Sequence, residues 1–482
     1  MRALNGRAVY YLADHLLAIP ERGPGGWSLH YWGVKMSSVK KLCWAALSAA
    51  LVAVVLMVVA CGGEDETSTP GATKPVGTPD TTGVTDTEIK LGTHYPLSGN
   101  PAAAYAPISY GMKAFFDYIN AQGGVYGRKI NFIIGDDHYN PADTVEVVRK
   151  LVEQDKVFGI ISGLGEETHA AVWKYLEEKG VPDMYVSTGL DKWTNPVAYN
   201  RYSGNPDYVT EGDFLGHYIA KTYPNGKLGI LQQSDQLGQD GEKGLRQGIE
   251  GSNVEIVSVE QYDVVQSDVS AQTQRLKAAG ADVVAVFAIP PQAASMVTTA
   301  RKTLSWDVPI IVSAINCSDI FILLATPENS EGILSSVFGH QAYDTQIPGV
   351  QKYEKIWAKF QNGASGPMNN FELYGMSMAE ATVWGLEMAG KDLTRQSYLD
   401  AAQSMCEVWC STCEDFGPWQ TSPTDHKINE VLIINKVVNG KWVPEGDITS
   451  YESTSNCTPM EPPEGFDEQP KVGKDTPFVE TP

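Results

Sequence analysis

From Glu88 onward, short β-branched and aliphatic runs alternate with stretches of helical period, and this alternation constrains the fold more than any other feature. Residues 88–93 alternate as a strand. After Pro96-Leu97-Ser98-Gly99 comes a helix with Ile108, Met112, Phe115 and Ile119 on one face, closed by Gly123-Gly124. The same reading predicts strands over 129–135, 157–162, 183–187, 228–233, 255–262, 283–288 and 310–313. Helices are predicted over 141–155, 168–179, 208–223, 241–251, 269–279 and 291–304. Near-continuous Val/Ala/Phe strands such as 283–288 are what a parallel sheet covered by helices on both faces requires. So many βα units exceed one open sheet of ordinary size, so two doubly wound α/β lobes are expected, with ligands at the carboxyl ends of the strands between them.

Composition removes whole classes of function. The 482 residues are 43% hydrophobic, enough apolar surface for a large core, so disorder throughout is excluded. With 36 Lys plus Arg against 58 Asp plus Glu, the formal charge of -22 would repel a phosphate backbone, which argues against a nucleic-acid partner.

The first sixty residues read as targeting rather than fold. Lys40-Lys41 precedes an uncharged run over 42–60 and then Cys61, the pattern of an export signal; a transmembrane anchor is the alternative. Met36 begins a complete signal by itself, which leaves residues 1–35 with no place in the scheme. Val58-Val59-Ala60-Cys61 resembles the lipobox of bacterial lipoproteins. That resemblance implies cleavage before Cys61, a lipid on its sulfur and a chain tethered to the outer face of the membrane, or periplasmic. Residues 61–86, poor in apolar side chains, read as anchor and flexible linker, and residues 451–482, rich in Pro, Glu and Asp, as a disordered tail.

Within the alternating body, Pro96-Leu97-Ser98-Gly99, the run from Ile119 to Ile130, Asp136-Asp137 and Arg149-Lys150-Leu151-Val152 together resemble type I periplasmic binding proteins of the branched-chain amino acid class. Gly180-Val181-Pro182, Pro423-Thr424-Asp425-His426 and Asn439-Gly440-Lys441-Trp442 extend the likeness over nearly the whole mature domain. The resemblance implies two Rossmann-like lobes joined by three crossovers, residues 87–204 plus 338–419 and 205–337 plus 420–450. Their expected boundaries lie near Ser203-Gly204, Val337-Phe338 and Trp419-Gln420. It also implies a monomer that closes on a small solute and hands it to an ABC permease. A receptor that passes closure to a sensor kinase or chemoreceptor is the competing reading.

The binding residues follow from the matched loops. Ser98 lies in the loop after the first strand, and Tyr105 is the aromatic expected to face the ligand there, with a plain surface ring as its alternative. Gly165, Glu166 and Glu167 occupy the loop after the third strand, where the amino acid binders hold a carboxylate; two acids there would repel one, or would simply favour the helix start. Thr188 and Gly189 form the second ligand loop, and Trp193 either walls the pocket or packs in the lobe. Ile289 stands where the family offers an aromatic, and Asn316 in the loop where it offers an acid for a ligand ammonium. The acid is missing, so the solute class is open among amino acids, amides and small organic acids.

Seven cysteines remain to be placed. Cys43 falls in the signal and Cys61 is the lipid site, leaving Cys317, Cys406, Cys410, Cys413 and Cys457 as disulfide candidates of undetermined pairing with one left over. The C-x3-C-x2-C spacing of Cys406, Cys410 and Cys413 matches iron-sulfur ligands, but an exported chain sits where thiols oxidise. Zinc with His426 is a poorly spaced alternative. Gly375-Met376-Ser377-Met378-Ala379 falls one residue short of a nucleophile elbow and lies on a helix with Tyr374 and Met378 as core positions. The reading is a binding protein, with no catalysis, cofactor or metal.

Overall fold

The structure is a computed structural model that describes residues 79–481, apart from 100, 362–363, 365, 447–448, 451–456 and 471. The leader, Cys61 and most of the linker lie outside the described residues. Among the described residues no helix is long and apolar enough to cross a membrane.

The first sheet is wholly parallel, in the order β2-β1-β3-β4-β5: β1 (Glu88–Tyr95), β2 (Lys129–Asp136), β3 (Gly159–Ile161), β4 (Asp183–Val186) and β5 (Arg201–Ser203). Between its strands run α1 (Ala102–Ala121), α2 (Pro141–Arg149), α3 (Glu166–Ala170) and α4 (Trp173–Glu178). The second sheet holds β6 (Lys227–Gln233), β7 (Glu255–Tyr262), β8 (Val283–Phe287), β9 (Ile310–Val312) and β10 (Leu334–Val337), parallel in the order β10-β9-β8-β6-β7. Antiparallel β11 (Val431–Val438) and β12 (Lys441–Pro444) continue it beyond β10, and β13 (Thr449–Ser450) pairs with β11. Its helices are α5 (Tyr208–Thr222), α6 (Gln236–Gly248), α7 (Ser270–Ala278), α8 (Pro290–Thr298), α9 (Asp319–Ala325) and α10 (Pro327–Ser330). Every residue of β3, β4, β8 and β9 is buried, as expected for parallel strands covered on both faces.

Three helices end or break where unbroken ones were expected. The helices that begin at Pro141 and Pro290 each finish in a π-turn, Lys150–Gln154 and Thr299–Thr303, and the helix expected over 168–179 is split between α3 and α4. α6 starts five residues before the predicted 241, because the Asp235 side chain accepts from Leu237 N and caps it. Its glycines, poor helix formers alone, are compensated by contact with α5. A Cβ on Gly244 would lie 2.1 Å from the Val209 carbonyl oxygen, and one on Gly248 2.1 Å from that of Asp213. On the facing helix a Cβ on Gly212 would lie 2.4 Å from the Gly241 carbonyl oxygen and one on Gly216 2.8 Å from Gly248 Cα, so the two backbones touch along this seam.

The chain crosses between the sheets three times. It leaves the first after β5 and returns after β10 to build α11 (Pro348–Phe360), α12 (Asn370–Met388) and α13 (Arg395–Gln403). α12 packs on α1 through Gly111 and Gly375, whose Cβ positions would meet the Glu372 and Ile108 carbonyls at 2.1 and 2.0 Å. The third crossing comes later than Trp419-Gln420: Trp419 and Ile428 both lie in the first lobe's core, and Ser203 N donates to the His426 carbonyl at 2.9 Å.

His426 at this crossing carries a pH prediction. Its ring stacks on Tyr202 with centroids 4.0 Å apart, Nδ1 donates to the Arg201 carbonyl at 2.9 Å, and Nε2 faces the Gln403 amide. A second ring proton would point at that amide, and burial lowers the imidazole to about 4. A folded value below the unfolded one means that the unfolded chain takes up the proton first. Stability is therefore full above about pH 6.5 and falls toward pH 4, by about 3 kcal/mol in total. Denaturant unfolding of wild type and His426→Gln is expected to diverge over that window; parallel curves would refute the assignment.

Both ends of the described chain are docked rather than loose. In the last stretch of the expected linker, the Asp80 carboxylate pairs with Arg395 at 2.9 Å. The expected disordered tail lies against the first lobe: Tyr126 N donates to Gln469 Oε1 at 2.5 Å, Phe478 stacks on Tyr118, and Lys474 sits 4.0 Å over the Trp409 ring. Phe478 finds an aromatic partner on α1, a gain that composition alone does not reveal. The pairing of the cysteines is Cys406–Cys457 and Cys410–Cys413, with Cys317 free and buried. Four of the five candidates are thus taken by each other, which removes the zinc and iron-sulfur arrangements. Peptide mapping is expected to recover these two pairs, with Cys317 reacting with a thiol reagent only after unfolding, because burial leaves it 6% exposed and raises its thiol pKa.

Candidate functional site

Residues just beyond the carboxyl ends of β3, β4, β9 and β10 line a common cavity: Leu164, Ser187, Ala314, Ile315 and Phe338. Tyr105 on α1, Phe371 and Tyr374 at the start of α12, and Trp419 complete the first-lobe wall, while Asn205 and Asn429 close it at the crossings. About 1010 Å³ here is free of protein atoms, part of it open to solvent. Contacts hold the lobes together across it. Asp191 N donates to Asp240 Oδ2 at 3.1 Å, and Asn370 Nδ2 donates to the Cys317 carbonyl at 3.3 Å.

The loop after β3 rests on a fully buried run of side chains. Asp137 meets His94 Nδ1 at 2.8 Å, His94 Nε2 meets His169 Nδ1 at 3.1 Å, and His169 Nε2 meets Asp183 at 3.0 Å. Gly163 passes over the two imidazoles where a Cβ would come within 2.7 Å of both, so the backbone alone fits. Gly165, at φ 101°, then turns the chain into α3.

The two acids of this loop part company. Glu167 is exposed, whereas Glu166 is 6% exposed and accepts from three hydroxyls, Tyr139 and Thr188 and Tyr208, at 3.1, 3.0 and 3.0 Å. Burial first, and the Asp235 charge second, raise its pKa. The Thr188 hydroxyl expected to hold a ligand thus gives its proton to Glu166. Tyr105 is not a free surface ring: it stacks on Tyr139 at 6.1 Å, meets Phe371 edge-on at 5.9 Å and faces the cavity.

The other expected residues have structural partners. The Ser98 hydroxyl is exposed and donates to Asp136 at 2.7 Å, tying the β1 loop to the end of β2. Gly189 lies under the Tyr208 ring, where a Cβ would be 2.9 Å away. Trp193 does not wall the pocket; it is fully buried, edge-on to His169 and Trp173. Ile289 offers its backbone N–H to the Tyr262 hydroxyl at 3.2 Å. Asn316 is fully buried and donates to the Ala288 carbonyl at 2.8 Å, bridging the ends of β8 and β9, and it is not among the residues lining the cavity.

The walls that sequence reasoning missed are Asn205, Phe338, Phe371, Tyr374 and Trp419. Asn205, Phe338 and Trp419 stand within two residues of the expected crossings, a signal read for hinges but not for lining. Tyr374, read as core, instead lines the cavity with its hydroxyl 3.1 Å from Ser187 Oγ. Ser377 also borders the cavity, within a helix rather than at a strand-to-helix turn.

Comparison with known proteins accounts for this arrangement. A family profile described as periplasmic binding protein matches residues 88–441. The chain belongs to the periplasmic binding protein family. It is similar to Leu/Ile/Val-binding protein homolog 2 of Brucella abortus, 27% identical over 211 residues, which cover 44% of this chain and 57% of that one. An amino acid binding protein of Pseudomonas aeruginosa is 25% identical over 222 residues, covering 45% and 58%. The chain thus spans a little over half the length of these curated relatives. In three dimensions it is similar to a branched-chain amino acid ABC transporter protein from Thermus thermophilus with bound valine, with a TM-score of 0.69 and 18% identity over 76% of this chain and 97% of that one. A fatty acid ABC transporter substrate-binding protein from Thermomonospora curvata gives 0.66 and 22% over 77% and 94%. The two-lobed periplasmic-binding-protein fold is common to all three, and the cavity described above lies between its lobes.

Proposed function

We propose that this protein is a lipid-anchored extracytoplasmic binding protein that captures a small solute between its lobes and delivers it to an ABC permease. The observation that carries the reading is the cavity formed at the carboxyl ends of strands from both sheets and bounded by the three crossings. Strand ends from two lobes that can turn about short connections form a clamp, and a solute touching both favours the closed form by its differential affinity for it. A lipid on Cys61 holds the clamp at the membrane. Two measurements test this. Cys61→Ser is expected to move the chain from the membrane fraction to the soluble one, and unchanged partition would refute the anchor. A thermal-shift screen, with mass spectrometry of material released on denaturation, is expected to find one stabilising solute class. At about 100 times its dissociation constant a ligand adds roughly 2.7 kcal/mol. No shift from any class, and no released molecule, would refute capture.

A further inference from the structure

Among the described residues, those lining the cavity include no Asp, Glu, Lys or Arg. Six aromatic rings face it, Tyr105, Phe338, Phe371, Tyr374, Phe416 and Trp419, with the Cys410–Cys413 disulfide beside them. His340 is the one imidazole there; its Nε2 donates to the Glu414 carbonyl at 2.6 Å and its Nδ1 lies 3.5 Å from the Asp344 carboxylate. Both ring nitrogens thus face groups of the protein. The nearby carboxylate, Glu166, already accepts from three hydroxyls and is not part of the lining. A charged solute group would leave water without a counter-charge, which costs several kcal/mol.

Among the described residues, one buried polar side-chain atom of the lining is unanswered. Asn205 is 9% exposed, lines the space, and its Oδ1 has no hydrogen-bond partner. A buried acceptor left unpaired is costly, so an acceptor placed against a ligand cavity points to a ligand hydrogen.

Resting on the solute-capture reading above, we infer that the solute is an uncharged organic molecule with an apolar, ring-sized body and a hydroxyl or amide hydrogen that meets Asn205 Oδ1. A zwitterionic amino acid would find no counter-charge in this lining for either its ammonium or its carboxylate. The aromatic walls supply contact area at little entropic cost, and the unpaired Asn205 oxygen fixes orientation.

The test uses the full-length protein in detergent, followed by the fluorescence of its tryptophans, of which Trp419 lines the cavity. Probes are matched by shape: benzamide, benzoate and benzylamine; cyclohexanecarboxamide and cyclohexanecarboxylate; and leucine. In each ring series the neutral member is expected to bind at least tenfold tighter than its charged counterparts and than leucine. Asn205→Leu is expected to weaken the amides at least tenfold, and Phe338→Ala, on another wall, to do so independently should Asn205→Leu not fold. Equal or tighter binding of benzoate, benzylamine or leucine overturns the inference while leaving solute capture intact. No binding by any probe overturns the inference, and if nothing is released on denaturation either, capture falls with it.

Discussion

Gly244→Val is expected to lower the unfolding free energy by about 3 kcal/mol, the upper range for overpacking a close contact. The reason lies in what surrounds the position. A Cβ there would come within 2.1 Å of the Val209 carbonyl oxygen, 2.7 Å of Asp213 N and 2.8 Å of Gly212 Cα, all backbone atoms that no rotamer change can move. Helices α5 and α6 would have to separate, opening the layer that covers one face of the second sheet. Gly339→Ala is the control, since nothing lies within 4 Å of its Cβ position and its φ is ordinary, and it is expected to be nearly neutral. Denaturant unfolding of the two variants checks the contrast; similar midpoints would refute the close-packed seam.

Glu380→Ala is expected to cost about 3–5 kcal/mol and to free the carboxyl-terminal segment. The carboxylate is 1% exposed and accepts from the Tyr353 hydroxyl, from the Ser411 hydroxyl at 2.8 Å and backbone N–H at 3.2 Å, and from Gly473 N at 2.5 Å. It therefore joins α11, α12, the Cys410–Cys413 loop and the tail in one polar knot. Lys352, 4% exposed, donates to Ser411 Oγ at 3.1 Å; burial lowers its pKa while the Glu380 charge opposes that shift. Removing the carboxylate strands these donors together, whereas Glu380→Gln keeps part of the geometry and is expected to cost less. Limited proteolysis is expected to cleave residues 472–481 faster in Glu380→Ala than in wild type. Unchanged cleavage would show that the tail is held by its other contacts, among them Tyr118, Trp409 and Lys359.

How much of the site was legible follows the same division between local and distant contacts. Leu164, Ser187, Ala314 and Ile315 follow directly from strand ends, because a βα unit places its carboxyl-terminal loop at the cleft whatever its side chains are, whereas Tyr105, on α1, was reached only through the family resemblance. Glu166 was singled out as a departure, but its role was not readable. Its three hydroxyl partners stand 22, 27 and 42 residues away, and no spacing rule joins them. Trp193 and Asn316 illustrate the converse. Each occupies a plausible loop, yet the ring and the amide turn inward, toward His169 and the Ala288 carbonyl.

The sequence by itself determined the fold class, the order of strands along the chain and the strand ends at which a solute would be met. Those properties rest on periodicities of two and 3.6 residues, which are local and survive any packing. Tertiary structure alone decided the pairing of the cysteines, the docking of the tail, the lateness of the third crossing and the absence of charge from the cavity. Each of these depends on which side chains from distant segments share one buried space. There, unpaired polar groups and unfilled volume cost more than any local preference can offset.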